Sequence, residues 1–374
     1  MRILVVTYEF PPIGGGGGMA AWEISRALAR SGHEVHVLTA HYQGLALQEE
    51  LEGVQVRRIS SGRRSAFKAG LTAMFCYVIA GAFVGLAHLR RWKPDLIHVH
   101  FAVPSGLVGW LLSRVCGAPY VLTAHLGDVP GGVPEKTGRW FRWIAPFTPP
   151  IWKGAAQVVA VSDYTRQLAL KRYPVDIQVI PNAVDLVQLD PGPIKVQQPP
   201  HIVFAGRFMP QKNPVLLVRM LANLRDLPWQ CAMMGDGPLR AAVEVEIRQR
   251  DLDDRITLTG WVKPAEVIQQ FRSADILCMP SSSEGLPVVG VQALAMGLAI
   301  VASRVGGFID LVDEAVNGFL LEPGDQAGFE RALRMLLQDE ALLKQFRQAS
   351  RQKAGSFSID QVASSYEEIF ACLA

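Results

Sequence analysis

The chain has 374 residues, 49% of them hydrophobic, and a formal net charge of +3. Such length and apolar content suit two buried cores better than one, and so mild a charge, without a basic stripe, excludes the usual nucleic-acid binder. Cys76, Cys116, Cys231, Cys278 and Cys372 show no CxxC spacing, so neither a zinc site nor a disulfide framework is indicated and a reducing cytoplasm is the simplest compartment.

Met1-Arg2-Ile3-Leu4-Val5-Val6 opens directly on a strand, with no signal-peptide pattern. The strand, predicted over Ile3–Thr7, runs through Tyr8-Glu9-Phe10-Pro11-Pro12 into Gly14-Gly15-Gly16-Gly17-Gly18, and a helix is expected from about Ala20 to Ser31, stopped by Gly32. Glycines let a backbone approach a ligand closely and present N–H groups at a helix start, which favours an anion or a crowded sugar. The loop fits the dinucleotide fingerprint only in part. Framed on Gly14 and Gly16 it meets Met19; framed on Gly15 and Gly17 it ends on Ala20 but finds no acid after the second strand, Glu34–Thr39.

Leu71 to Ala87 carries no formal charge and is flanked by Arg63, Arg64 and Lys68 before it and Arg90, Arg91 and Lys93 after it. It is slightly short for a membrane span. A helix buried against a sheet or between domains is the leading expectation, contact with a membrane surface the second, and a true span the least favoured. Next comes Pro94-Asp95-Leu96-Ile97-His98-Val99-His100, with a strand over Leu96–Val99. Two imidazoles there could share a metal, but no third ligand is evident, so hydrogen bonding or acceptor contact is the better reading. Strand Tyr120–Ala124 leads into His125-Leu126-Gly127-Asp128, a histidine and an aspartate just beyond a strand end, where open α/β sheets bind ligands. Strands Gln157–Val161 and Ile177–Ile180 complete this half. The proline-rich stretch from Asp190 to Pro200 reads as a linker over 186–200, separating domains of 1–185 and 201–358.

In the second half, strands are expected at Ile202–Ala205, Gln230–Met234, Ile256–Thr259, Ile276–Met279, Ile300–Ser303 and Gly318–Leu321. After the first of them, Arg207 stands at a strand end and Lys212 at a helix start, a planar fork and a point charge able to stabilise a nucleotide leaving group without a metal. Asp251-Leu252-Asp253 has the DxD form but sits in a charged polar stretch and is discounted. The run from Ser281 to Gly297 reads as a phosphate-binding corner. Pro287 is placed in the first helical turn, leaving the amides of Gly285, Leu286 and Val288 as donors. Glu284 beside them needs neutral donors such as sugar hydroxyls. Strands alternating with helices in both halves give an α/β class of two Rossmann-like parallel-sheet domains.

In order, the chain offers Gly14–Gly18, Asp95–His100, Thr123–Asp128, Pro181-Asn182-Ala183-Val184-Asp185, Arg207 with Lys212, Gly235-Asp236-Gly237-Pro238 and Glu284. That series, along nearly the whole chain, resembles the family 4 retaining glycosyltransferases of the GT-B fold. The resemblance implies two domains facing across a cleft, a last helix from Ile359 packed back on the first domain, and a hexosyltransferase using a nucleoside-diphosphate sugar, with no cofactor or metal. It implies Arg207, Lys212 and the Leu286 and Val288 amides on the donor diphosphate, with Gly285 and Pro287 beside them. Trp261 and Val262 would lie near the base, and Glu284 on sugar hydroxyls. Gly237 would also line the donor site. His125 would reach the donor sugar, with Asp128 next to it and Gly16, Gly17 and Gly18 near phosphate and acceptor. His100, Asn182 and Asp185 fall on the acceptor side or hinge. Three departures stand out: His-Leu-Gly-Asp for His-Gly-x-Asp, Ala183 for glycine, and Gln292 for the family's second acid, which bears on the grip on the ribose.

The implied partners are a nucleotide-sugar donor and a glycan or lipid-linked acceptor, with peripheral membrane contact and no nucleic acid. The alternatives are a non-catalytic nucleotide-sugar or glycan-binding protein and an NAD-dependent oxidoreductase.

Overall fold

Runs such as Leu4–Val6 and Ile276–Met279 are apolar at every position, so they suit strands covered on both faces. The computed structural model describes residues 1–65, 70–133 and 141–373. Lys68 of the basic flank and Ala374 of the last helix lie outside the described residues. The chain divides into two units, Met1–Ala183 with the helix Ile359–Leu373, and Val184–Ser358.

The first unit holds an eight-stranded sheet among its described residues, in the order β3-β4-β2-β1-β5-β6-β7-β8. The strands are β1 (Arg2–Thr7), β2 (Glu34–Ala40), β3 (Gln48–Leu51), β4 (Val54–Ile59), β5 (Leu96–His100), β6 (Tyr120–Ala124), β7 (Gln157–Ala160) and β8 (Ile177–Val179). Among the described residues only β3 pairs antiparallel, in a hairpin with β4 turned at Glu52 and Gly53, both with positive φ. This hairpin escaped the sequence reading because Gln48-Glu49-Glu50 is polar and the turn lacks an Asn-Gly or Asp-Gly signal. Along β1 the side chains alternate between two cores: Ile3 and Val5 meet the helices Gly16–Arg30 and Ile359–Leu373, while Leu4 and Val6 share the other core with Tyr77, Val108 and Trp152. The first helix starts at Gly16, not near Ala20, so the glycines form its first turn, where amides have no helical partner anyway.

The second unit holds six parallel strands among its described residues, ordered β11-β10-β9-β12-β13-β14. They are β9 (His201–Ala205), β10 (Gln230–Met234), β11 (Ile256–Gly260), β12 (Ile276–Met279), β13 (Ala299–Ser303) and β14 (Gly318–Leu321). The proline-rich 190–200 stretch belongs by its contacts to this unit. Arg347, on the helix Glu340–Lys353, donates to the Lys195 and Gly297 carbonyls and to the fully buried Asp275 carboxylate, which also accepts from the Gln197 and His201 amides. Buried charges are tolerated when paired and hydrogen-bonded in this way, and here the pair ties the entering chain to the foot of β12.

Strand order reverses beside β1 and β5 in the first sheet and beside β9 and β12 in the second. Such switch points leave a crevice at the carboxyl ends of the strands, the usual ligand position in open parallel sheets.

Candidate functional site

At the switch point of the second sheet, the loop after β9 and the loop after β12 are bound together. Ser282 donates its amide to the Gln211 carbonyl at 2.7 Å, and the Gln211 side chain donates to the Ser283 carbonyl at 2.8 Å. This brings Lys212 Nζ to 2.5 Å from Glu284 Oε1. Glu284 is 5% exposed and Lys212 is half-buried. Glu284 therefore has a charged donor of its own, besides any sugar hydroxyl. The geometry keeps a cation beside the helix start and still leaves the carboxylate lone pairs for further donors.

Pro287 is the cap residue just outside the helix Val288–Ala295 and not part of its first turn. Its φ of −70° would suit a helix, but its ψ of 118° is extended. The carbonyl of Pro287 accepts from the Gly290 and Val291 amides, so the Val288 amide sits at the open N-terminus, next to Leu286, with Gly285 further back. Ser281, Ser283 and Ser303 surround the corner with buried hydroxyls that have no hydrogen-bond partner among the described residues. Gln292 lies further along this helix, half-buried.

The corner's backing was missed in the sequence. At Gly306, φ is +53° and an added Cβ would lie 1.6 Å from the Glu284 carbonyl oxygen. The Gly307 amide donates to the Gly285 carbonyl. The Gly-Gly pair just after a strand was the available signal. Across the crevice, Gly235 and Gly237 press on the Arg207 loop: a Cβ on Gly237 would stand 2.6 Å from the Phe208 carbonyl oxygen, and the Phe208 amide donates to the Asp236 carbonyl. Gly237 thus shapes the loop that carries the half-buried Arg207. Trp261 is exposed and Val262 half-buried just past the end of β11, whose Gly260 carbonyl accepts from the Gly235 amide. Asp251 and Asp253 are exposed in the turn before β11.

At the switch point of the first sheet, Phe101 leaves β5 with φ +70° and stacks on His125 at 4.4 Å. Gly17 lies flush against both: a Cβ there would be 2.6 Å from the Phe101 ring and 3.2 Å from His125 Nδ1. Gly16 and Gly18 flank it in the same first helical turn. The preceding amide, Gly15, already donates to the Glu9 carboxylate at 3.0 Å. His98, His100 and His125 form a buried row, with neighbouring rings 4.3 and 5.8 Å apart. His98 Nε2 bonds the Thr123 hydroxyl, which bonds Tyr366 on the last helix. Neither nitrogen of His100 nor Nε2 of His125 has a partner among the described residues. No three metal-ligating side chains converge among the described residues.

Burial pushes the His125 imidazole down to about 4 and that of His98 to about 3, so both are neutral at pH 7. Burial drives Asp128 the other way, up to about 7, against the pull of the His125 and Val103 amides that its carboxylate accepts. Asp128 thereby fixes the backbone of the histidine turn. Asn182 is buried, and Asp185 accepts the Val187 and Gln188 amides in a local turn.

The glycosyltransferase family 4 model matches residues 14–188 and the glycosyl transferases group 1 model residues 190–353. The D-inositol 3-phosphate glycosyltransferase of Xylanimonas cellulosilytica is 29% identical over 96% of this chain and 93% of its own. The 2-deoxystreptamine glucosyltransferase of Streptomyces kanamyceticus is 28% identical over 91% and 94%. Among solved structures, a sucrose-phosphate synthase from Thermosynechococcus elongatus superposes with a TM-score of 0.86 at 22% identity, covering 100% of this chain and 98% of that one. Anabaena HepE in complex with UDP-glucose does so with 0.79 at 19% identity, covering 100% of each. Family and fold set aside the nicotinamide alternative, and the chain belongs to glycosyltransferase family 4, a sugar-transferring enzyme of the GT-B fold.

Proposed function

We propose that the protein transfers a sugar from a nucleoside-diphosphate sugar to a hydroxyl acceptor with retention of anomeric configuration and without a metal. The observation that carries this reading is the Lys212–Glu284 pair set at a topological switch point beside an open helix N-terminus. Lys212, Arg207 and the Leu286 and Val288 amides take the charge that grows on the departing diphosphate, and Glu284 holds sugar hydroxyls. Gly285 and Gly237 keep the backbone close to the ligand, Trp261 and Val262 serve the base, and Gln292 contacts the ribose. The bond from the anomeric carbon to the phosphate oxygen breaks, the acceptor oxygen bonds to the same face, and its proton passes to the leaving phosphate. His125 contributes a neutral hydrogen-bonding imidazole steadied by Asp128, and Gly16–Gly18 offer amides on the acceptor side.

The acceptor is a lipid-linked or cell-envelope glycan, reached in the cytoplasm at the inner face of the membrane. The support is the charge-free helix Leu71–Leu89 with its exposed apolar face. A small soluble cyclitol is the second reading, favoured by the inositol and deoxystreptamine acceptors named for the two relatives. The test is release of nucleotide from a UDP-, GDP- or ADP-sugar without acceptor. Turnover should be lost in Glu284→Gln and Lys212→Ala and unchanged by a chelator; dependence on restored divalent ions would defeat the metal-free account.

A further inference from the structure

The helix Leu71–Leu89 carries two apolar stripes, each with a residue every fourth position. Ala73, Tyr77, Gly81, Gly85 and Leu89 are buried. Tyr77 sends its hydroxyl to the Thr7 and Leu38 carbonyls, and Gly85 lies so close to the helix Ser105–Cys116 that a Cβ would stand 2.7 Å from Leu112. The second stripe is Leu71, Phe75, Ile79 and Phe83, and all four are exposed, Phe75 by 65% and Phe83 by 72%. The stripes are two residues out of phase, about 200° around a helix of 3.6 residues per turn, so they occupy opposite faces. A water-facing helix places polar residues on the outer face. Here that face is apolar and ends beside exposed Arg90, Arg91 and Lys93, with exposed Arg64 ahead of its start.

We infer that this outer stripe is a docking surface for an anionic lipid bilayer, on which the helix lies in the plane of the interface without crossing it. A crossing would strip Tyr77 from its two carbonyl partners and part Gly85 from Leu112. Lying flat keeps the inner stripe packed, sinks Phe75 and Phe83 among the acyl chains, and sets the arginines and lysine at the phosphates. The basic ends select a negatively charged surface over a second copy of the chain, because two copies apposed through this face would bring like charges together. The inference deepens the membrane part of the proposed function and rests on that part alone.

The experiment is co-sedimentation of the full chain with phosphatidylcholine vesicles, with or without about one-third phosphatidylglycerol. Wild type should bind the anionic vesicles, lose most binding in high salt, and lose at least about tenfold in Phe75→Asp/Phe83→Asp. The same double variant should keep its thermal midpoint and its release of nucleotide from UDP-glucose, since both side chains are exposed. Absence of binding to anionic vesicles at low salt, or binding indifferent to the double substitution, overturns the docking surface. So does a wild-type dimer that the substitution dissociates. Loss of donor turnover in Glu284→Gln with vesicle binding intact belongs to the catalytic reading, so the two can fail separately.

Discussion

The two switch points are built alike and finished differently. In the second unit the acid is answered by a lysine, and its backbone is wedged by Gly306. In the first unit the polar groups are buried imidazoles with nitrogens that lack hydrogen-bond partners among the described residues, backed by a carboxyl that burial pushes toward neutrality. One site holds fixed charge suited to a diphosphate; the other holds neutral groups suited to hydroxyls. One sheet topology thus supplies the position only, and the loops choose the chemistry.

Breaking the charged site should have the largest effect. Lys212→Ala leaves the Glu284 carboxylate buried without its cation, which should cost about 3 kcal/mol of stability and 100-fold or more in turnover, about what losing one fixed transition-state donor costs; Glu284→Gln should restore the stability but not the turnover, as urea titration and initial rates would show. Gly306→Ala should cost at least about 3 kcal/mol, because the new Cβ meets a carbonyl oxygen and the positive φ is strained. Gly15→Ala, where a Cβ meets nothing within 4 Å, should change stability by well under about 1 kcal/mol.

The neutral site should answer to pH. Each buried imidazole has a folded-state pKa below its ordinary 6.5, so its contribution to stability is fully present above pH 6.5 and is lost as pH falls, toward about 4 for His125 and about 3 for His98. Asp128 has the opposite sign, because its folded-state value of about 7 exceeds the ordinary 3.8 and the folded chain gains over that window on acidification. The lowered imidazoles outnumber the one raised carboxyl, and half-buried His36 and His88 of the same unit are lowered as well, so the first unit takes up protons on unfolding and loses stability as pH falls from 7 toward 5. Hydrogen exchange read separately for the two units at pH 7.5 and 5.5 should show the first unit loosening; equal change in both would erase the contrast. His125→Phe keeps the ring stacked on Phe101 and should cost about 100-fold in turnover with stability changed by less than about 1 kcal/mol. A smaller effect on function is expected at Gln292→Glu. Restoring the charge should tighten donor binding about fivefold, or about 1 kcal/mol by calorimetry.

Much of this was legible in the residues. The parallel strands followed from apolar runs; His125 directly follows β6, Lys212 and Glu284 lie in the connections after β9 and β12, and Gly17 lies in the first turn of the helix Gly16–Arg30. What was hidden depends on long-range geometry. Neither the distance from Lys212 to Glu284, 72 residues apart, nor the pressure of Gly306 on Glu284 leaves a local pattern. The outer stripe of Leu71–Leu89 was equally invisible, because a uniformly apolar helix does not say which of its faces is covered. Pro287 was misplaced by one residue, since proline suits both the cap and the first turn.

The central claim is that the second unit's corner is a nucleotide-sugar donor site, and a thermal-shift panel of UDP-, GDP- and ADP-sugars on wild type and Glu284→Gln tests it most directly. A donor at about a hundred times its dissociation constant should add about 2.7 kcal/mol to the wild type and much less to the variant. A flat panel, or a shift that Glu284→Gln leaves intact, would contradict it.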